Sequence, residues 1–201
     1  IAIKHDLLVV ADEIYSQLVY DGTKHVSIAS LPGMKERTIT LGGFSKAYSM
    51  TGWRLGYMCA PKEIIQACVR VHQYTITCAS SFVQEAAITA LRDCAGDVES
   101  MRQEYQRRKD YMVKALNEIE GISCNNPQGA FYIFVNIKQL GRTSMEMAEY
   151  LLEHAKVALV PGSAFGTEGE GYLRISYACS YEELQEACGR IEKAVAELRK
   201  K

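Results

Sequence analysis

Several things are scarce in this sequence, and each scarcity removes a class of protein. No apolar run approaches the ~20 residues that cross a bilayer as a helix. No sign of charge dominates: 23 Lys+Arg stand against 24 Asp+Glu, a net charge of -1. A surface built for nucleic acid or for an anionic membrane is therefore not expected. Seven cysteines, at 59, 68, 78, 94, 124, 179 and 188, include no C-x-x-C pair. The four histidines, at 5, 25, 72 and 154, show no ligand spacing with them, so no metal site is expected. An odd, scattered set of this kind reads as buried free thiols of a reducing cytoplasm, Cys68 and Cys188 lying in apolar stretches. The chain has no initiator Met. Its start, IAIKHDLLVVADEIY, places an acidic residue before a short apolar run and offers no small-residue cleavage site, so it is not read as a signal peptide. Internal repeats and low-complexity linkers are also missing.

What is present is an ordinary globular composition, 48% hydrophobic and 23% charged over 201 residues, enough for one core or two small domains. Leu7 to Ala11 is a continuous apolar run ending in acidic residues, which predicts a buried central parallel strand whose C-terminal end lies at a site. Thr38 to Leu41, ending in Gly42-Gly43, and Leu55 to Ala60 predict two more strands. Pro61 stands where a helix begins, with Ile64, Ile65, Cys68 and Val71 as its apolar stripe, and a further helix runs from Ser80 or Ser81 to Asp93. Asp97 is placed to cap a long helix carrying Val98, Met101, Tyr105, Met112, Leu116 and Ile119 and ending at Gly121. Strands follow at Phe131–Ile137, Val157–Val160 and Tyr172–Tyr177. Thr143-x-x-Glu146 and Ser180-x-x-Glu183 are capping boxes opening two helices. Strands with helices thus precede a long helix and a small α+β unit. The expected division is 1–105 and 106–201.

Four segments carry chemistry. Asp12-Glu13-Ile14-Tyr15 sits where the first strand ends, the position at which open α/β sheets bind ligands. Taken alone, such an Asp is more often a helix N-cap. Gly42 to Tyr57 reads GGFSKAYSMTGWRLGY. A glycine-rich turn after a strand lets backbone N–H groups approach a phosphate, although neither the Walker spacing nor G-x-G-x-x-G is present. Lys46 lies among small and apolar residues, where desolvation favours a neutral, nucleophilic amine. Arg54, between Trp53 and Leu55, is oddly placed for a surface arginine and suits an anionic partner. The third and fourth segments are Val160-Pro-Gly-Ser-Ala-Phe-Gly166 and Tyr172-Leu-Arg-Ile-Ser176.

D-E-I-Y followed by S-K-A-Y-S-M-T-G-W-R-L-G-Y resembles the class I, fold type I, pyridoxal-phosphate (PLP) aminotransferases, and leans toward their aspartate/aromatic branch. The lysine motif matches from Gly43 to Gly56 without a gap. The third and fourth segments resemble that family's small-domain loop and the strand carrying its carboxylate-binding arginine. Order and spacing fit across the whole chain. The resemblance implies an α/β fold: part of a PLP-transferase large domain, a mostly parallel sheet with helices, followed by a small α+β C-terminal domain. It implies Lys46 as the amine that forms a Schiff base with PLP and then serves as general base and acid. It implies Asp12 on the pyridine nitrogen, Tyr15 on the ring oxygen, and Ser45 and Arg54 on the phosphate. Arg174 would grip the substrate α-carboxylate. Many members carry serine where Gly43 stands here, so one side-chain phosphate contact is lost. Glu13, Tyr48 and Phe165 read as structural or pocket-shaping.

The function so implied is transfer of an α-amino group between an L-amino acid, aspartate-like or aromatic, and a 2-oxoacid, by a cytoplasmic homodimer without nucleic-acid or membrane partners. A PLP-dependent carbon–sulfur β-lyase shares the motifs, and so does the aminotransferase-like effector module of some transcription regulators. The resemblance covers only the C-terminal half of such an enzyme. The family's other phosphate loop, its stacking ring and its ring-oxygen asparagine are therefore expected outside these 201 residues, and the chain alone is expected to bind PLP weakly and turn over poorly.

Overall fold

A computed structural model describes residues 1–200. The chain divides into two compact units, Ile1–Arg102 and Gln103–Lys201. The first holds a three-stranded sheet of β1 (Val9–Asp12), β2 (Thr38–Gly43) and β3 (Gly56–Cys59), in the order β1-β2-β3. β1 pairs β2 in parallel and β3 pairs β2 antiparallel. The strands were all legible, but the burial of β1 was not. Val10 is 64% exposed and only Ala11 of this strand is buried. A run of apolar residues states what a strand can bury, and no second layer covers β1's outer face among the described residues. Among the described residues β1 pairs with β2 alone and stands at the end of this three-stranded sheet.

Two helices follow, α1 (Lys62–Thr75) and α2 (Ser81–Asp93). Pro61 occupies the N-cap of α1, where its missing N–H costs nothing. The predicted stripe of α1 forms but is not covered: Ile64, Ile65 and Cys68 are half-buried and Val71 is exposed. α2 buries Val83, Ala87 and Ala90, a spacing that keeps one face inward. Its small side chains leave room for Phe44 and Met50 to pack against Ala87 and Ala90.

α3 (Ala95–Asn117) starts two residues before Asp97, so the expected cap is corrected to an acidic residue in the first turn, where it complements the helix dipole. It ends at Asn117, whose side chain bonds the backbone of Cys124 in both directions, and Gly121 with φ +94 lies beyond it. The second unit contains β4 (Ser123–Cys124), β5 (Tyr132–Asn136), α4 (Ser144–Ala155), β6 (Val160–Pro161), β7 (Tyr172–Ser176) and α5 (Tyr181–Leu198). Its sheet runs β4-β5-β7-β6, with every pairing antiparallel. Both predicted capping boxes form: Thr143 and Ser180 accept from the N–H groups of Glu146 and Glu183, whose carboxylates bond back to the cap residues.

Strand alternation puts Ile133, Val135, Leu173 and Ile175 on one sheet face, buried with Met147 and Leu151 of α4 and Leu184, Ile191 and Val195 of α5. Tyr132, Phe134, Tyr172 and Arg174 take the other face and stay partly exposed. All seven cysteines are free thiols, but only Cys188 is buried; Cys59, Cys78 and Cys179 are exposed, which corrects the expectation of a buried set. Burial pushes the Cys188 thiol up to about 11, so it stays protonated and inert. Among the described residues no helix is long and apolar enough to cross a membrane and no cluster of metal-ligating side chains forms.

Leu173 is 1% exposed at the centre of the second sheet. Leu173→Ala is expected to destabilise the second unit by about 3 kcal/mol, transfer and cavity terms together. Denaturant unfolding monitored on this unit measures it, and a change below about 1 kcal/mol would contradict the packing described.

Candidate active site

Parallel pairing sets Asp12 beside Leu41, so β1 and β2 end side by side at one sheet edge. β3 runs the other way and begins there, with Gly56 opposite Gly43. The ends of all three strands therefore bring Asp12, the segment carrying Ser45 and Lys46, and Arg54 to the same edge of the first unit. This is the edge at which an open sheet binds ligands, because the chain turns away and leaves a crevice.

Asp12 caps no α-helix. Its Oδ1 accepts a bond from the Ile14 N–H at 3.1 Å, a side-chain turn that ends the strand and holds the carboxylate at the edge. The Glu13 N–H donates to the Leu41 carbonyl at 2.9 Å, which carries the ladder one step further. The Asp12 carboxylate is exposed and forms no ion pair among the described residues. Tyr15 follows, half-buried.

Glu13 faces away from this role. Its carboxylate lies 3.0 Å from His25 Nε2, accepts from the Ser27 hydroxyl at 2.8 Å and accepts from the Ile28 N–H at 3.3 Å, clamping 25–28 to the end of β1. Burial pushes this carboxyl up, but the His25, Ser27 and Ile28 bonds outweigh it, and the net shift is downward.

The lysine segment is closely tied. Gly42 and Gly43 stand where β3 approaches closely: a Cβ on Gly42 would lie 2.5 Å from the Tyr57 ring, and one on Gly43 3.1 Å from Gly56 Cα, so a side chain at either position would displace its neighbour. Beyond the glycines, Phe44 N–H donates to the Leu55 carbonyl, Met50 N–H to Phe44, Ser49 N–H to Lys46, and the Thr51 hydroxyl to Ser45. Phe44 and Ala47 are buried on either side of Lys46, which is itself half-buried. Ser49 and Arg54 hold φ of 54° and 56°, left-handed values that cost a non-glycine residue about 1 kcal/mol or more and persist only where the surroundings enforce them. Arg54 Nη1 donates to the Thr51 carbonyl at 2.6 Å, and the rest of the exposed guanidinium has no carboxylate partner among the described residues. Gln17 Nε2 donates to the Tyr48 hydroxyl at 3.4 Å, linking the Asp12 turn to the lysine segment.

Arg174 belongs to the second unit. It stands on the outer face of β7, opposite Phe134 of β5. Its Cζ lies 4.5 Å from the centre of the Tyr132 ring and 4.7 Å from that of Phe165. It too forms no ion pair among the described residues.

A family model described as aminotransferase class I and II matches residues 1–191. The chain belongs to this family. It is 54% identical over 198 residues to an aspartate aminotransferase of Pyrococcus abyssi, and 52% identical over 198 residues to aromatic-amino-acid aminotransferase 2 of Thermococcus litoralis. Each alignment covers 98% of this chain and 51% of the relative. The crystal structure of an aromatic aminotransferase from Pyrococcus horikoshii superposes with a TM-score of 0.96 at 50% identity, over 98% of this chain and 53% of the other. The chain thus spans about half the length of the curated relatives it matches. Aminotransferases of this family use pyridoxal 5′-phosphate, and the fold is the PLP-transferase α/β fold anticipated from the motifs.

Tyr48, expected to be structural or pocket-shaping, does link the two motifs, but its partner Gln17 carries no sequence signal. The rings around Arg174 were legible in principle: Tyr132-x-Phe134 and Tyr172-x-Arg174 share a face by strand periodicity.

The lowered Glu13 carboxyl sets a pH dependence. Its clamp contributes stability that is fully present above the ordinary glutamate value of 4.5 and is lost as pH falls through the lower folded value. Thermal melts from pH 6 downward should show Glu13→Gln less stable than the parent at pH 6, the gap closing in acid. A gap that stays constant to pH 3 would contradict the clamp.

Proposed function

We propose that the whole protein is a PLP-dependent aminotransferase that moves an α-amino group between an L-amino acid, aspartate or an aromatic one, and a 2-oxoacid. The observation that carries this reading is the meeting of Asp12, Lys46 and Arg54 at one sheet edge, an acid, an amine and a guanidinium, the first and last without charged partners among the described residues. Relatives at 54% and 52% identity bear the names aspartate and aromatic-amino-acid aminotransferase, which supports both substrate classes. Segment 1–105 is the proposed C-terminal part of the cofactor-binding large domain and 106–201 the small domain. Free thiols at all seven cysteines suit a reducing cytoplasm. Assembly as a homodimer is part of the proposal.

The residues fit the cofactor. Among the described residues the exposed Asp12 carboxylate has no counter-ion, which suits a protonated ring nitrogen, and the exposed Arg54 guanidinium beside glycines and the Ser45 hydroxyl suits a phosphate. Asp12 would hold the proton on the pyridine nitrogen, which a neutral amide could not do as well. Tyr15 would donate to the ring oxygen. Arg54 would take the phosphate in a forked contact, with Ser45 adding a hydroxyl. Lys46 Nζ would hold the aldehyde carbon and, once freed by the substrate amine, would take the proton from the substrate Cα as general base. Bound PLP supplies the electron sink for the pair that this proton leaves behind. Arg174 would fix the α-carboxylate by two parallel N–H bonds, and so orient the Cα–H bond for removal.

In the full-length protein, Lys46→Ala should lower kcat for amino-group transfer by roughly a thousand-fold or more, the size of a lost general base. Steady-state assay with an amino-acid donor and 2-oxoglutarate measures it. Activity within tenfold of the parent would remove Lys46 from the mechanism.

A further inference from the structure

Arg174 is held in an unusual way for an arginine on an exposed sheet face. No carboxylate restrains it among the described residues; aromatic rings do. Tyr132 reaches it diagonally across the β5–β7 pair from the same face. Phe165 comes from a different element, the 3-10 turn Gly162–Phe165 after β6. Phe165 is 52% exposed. It is braced there by Phe134, edge-on at 5.9 Å, which in turn stacks on Tyr172 at 5.3 Å.

The turn that presents Phe165 is fixed at its root. A Cβ on Gly162 would lie 2.1 Å from the Gly169 carbonyl oxygen, so the two glycines pin the ends of the turn against each other. The buried Ser144 hydroxyl, at the start of α4, accepts from the Gly171 and Tyr172 N–H groups at 2.9 and 3.2 Å and anchors the chain as it enters β7. Phe165 therefore does not drift onto Arg174; the backbone delivers it there.

We propose that Phe165 is a positioning residue for Arg174: with Tyr132 it flanks the guanidinium, restrains its rotation and leaves the N–H edge as the direction of approach for a carboxylate. This rests on the reading of Arg174 as the α-carboxylate grip and deepens it. A carboxylate accepting two N–H bonds must lie in the guanidinium plane. A guanidinium already oriented by rings loses less freedom when that carboxylate arrives. The contribution is to binding in ground and transition states alike, so it belongs in KM and not in kcat.

The test uses the full-length, PLP-loaded protein and compares Phe165→Leu, Phe165→Tyr and Arg174→Ala. Phe165→Leu should raise KM for the amino-acid donor about 2- to 5-fold, the span of an exposed cation–π contact. Its kcat should stay within about twofold and its cofactor absorbance should be unchanged. The Ki of a simple monocarboxylic acid, used as competitive inhibitor, should rise by the same factor. Phe165→Tyr, which keeps a ring, should restore both constants. A Phe165→Leu protein with parental KM and Ki overturns the proposal, and so does a Phe165→Tyr protein as impaired as Phe165→Leu. Arg174→Ala separates this proposal from the reading beneath it. If that variant binds carboxylates poorly while Phe165→Leu does not, only the positioning role falls. If Arg174→Ala binds them normally, the carboxylate grip falls and the positioning role with it.

Discussion

The register of β1 against β2, with Val9 beside Thr38 and Asp12 beside Leu41, decides where every charged group of the first unit's site stands. Because the pairing is parallel, the acid that ends one strand and the amine that follows the other leave the sheet at the same edge. Because β3 returns antiparallel, the arginine that precedes it arrives at that edge as well. A slip of one residue would carry Asp12 to the opposite face of the sheet and separate the carboxylate from the lysine segment. The Glu13 N–H bond to Leu41 and the Glu13 clamp on 25–28 resist that slip from either side of the turn.

A second constraint keeps the lysine segment from relaxing. Two of its residues, Ser49 and Arg54, hold left-handed backbone angles that an isolated loop would abandon. What pays for them is the burial of Phe44 and Met50 against the alanines of α2, together with the cross-loop bonds from Phe44, Met50 and Thr51. The small residues of α2 thus have a role that reaches the chemistry: larger ones at 87 or 90 would lift Phe44, and Lys46 with it.

Much of this was legible in the sequence for identifiable reasons. The capping boxes at Thr143 and Ser180 were readable because hydroxyl and carboxylate must stand three residues apart to satisfy each other's backbone groups. The start of α1 was readable from Pro61, and both limits of α2 fall at the expected Ser81 and Asp93. The lysine motif was readable because its glycines, lysine and arginine form one unbroken run between two expected strands. Burial was harder. Val10, Val71 and most of the cysteines look like core residues, and their exposure depends on what packs over them, which no local pattern states. The two-residue strand at Ser123 has no periodicity to detect. Asp97 misled because an acidic residue is favourable both at an N-cap and in the first turn. Tyr132 comes to Arg174 across the β5–β7 pair and Phe165 from a turn outside the sheet, so their shared approach to the guanidinium depends on strand pairing and turn geometry that no single local pattern states.

The identity of the amine at the site is the claim on which the chemistry turns, and it can be read chemically. Full-length protein loaded with pyridoxal phosphate, reduced with borohydride and cut into peptides, would carry the pyridoxyl mass on a single lysine. That lysine is expected to be Lys46, in the peptide containing Gly43-Phe44-Ser45-Lys46-Ala47. A pyridoxyl group fixed at another lysine, with Lys46 unmodified, would contradict it.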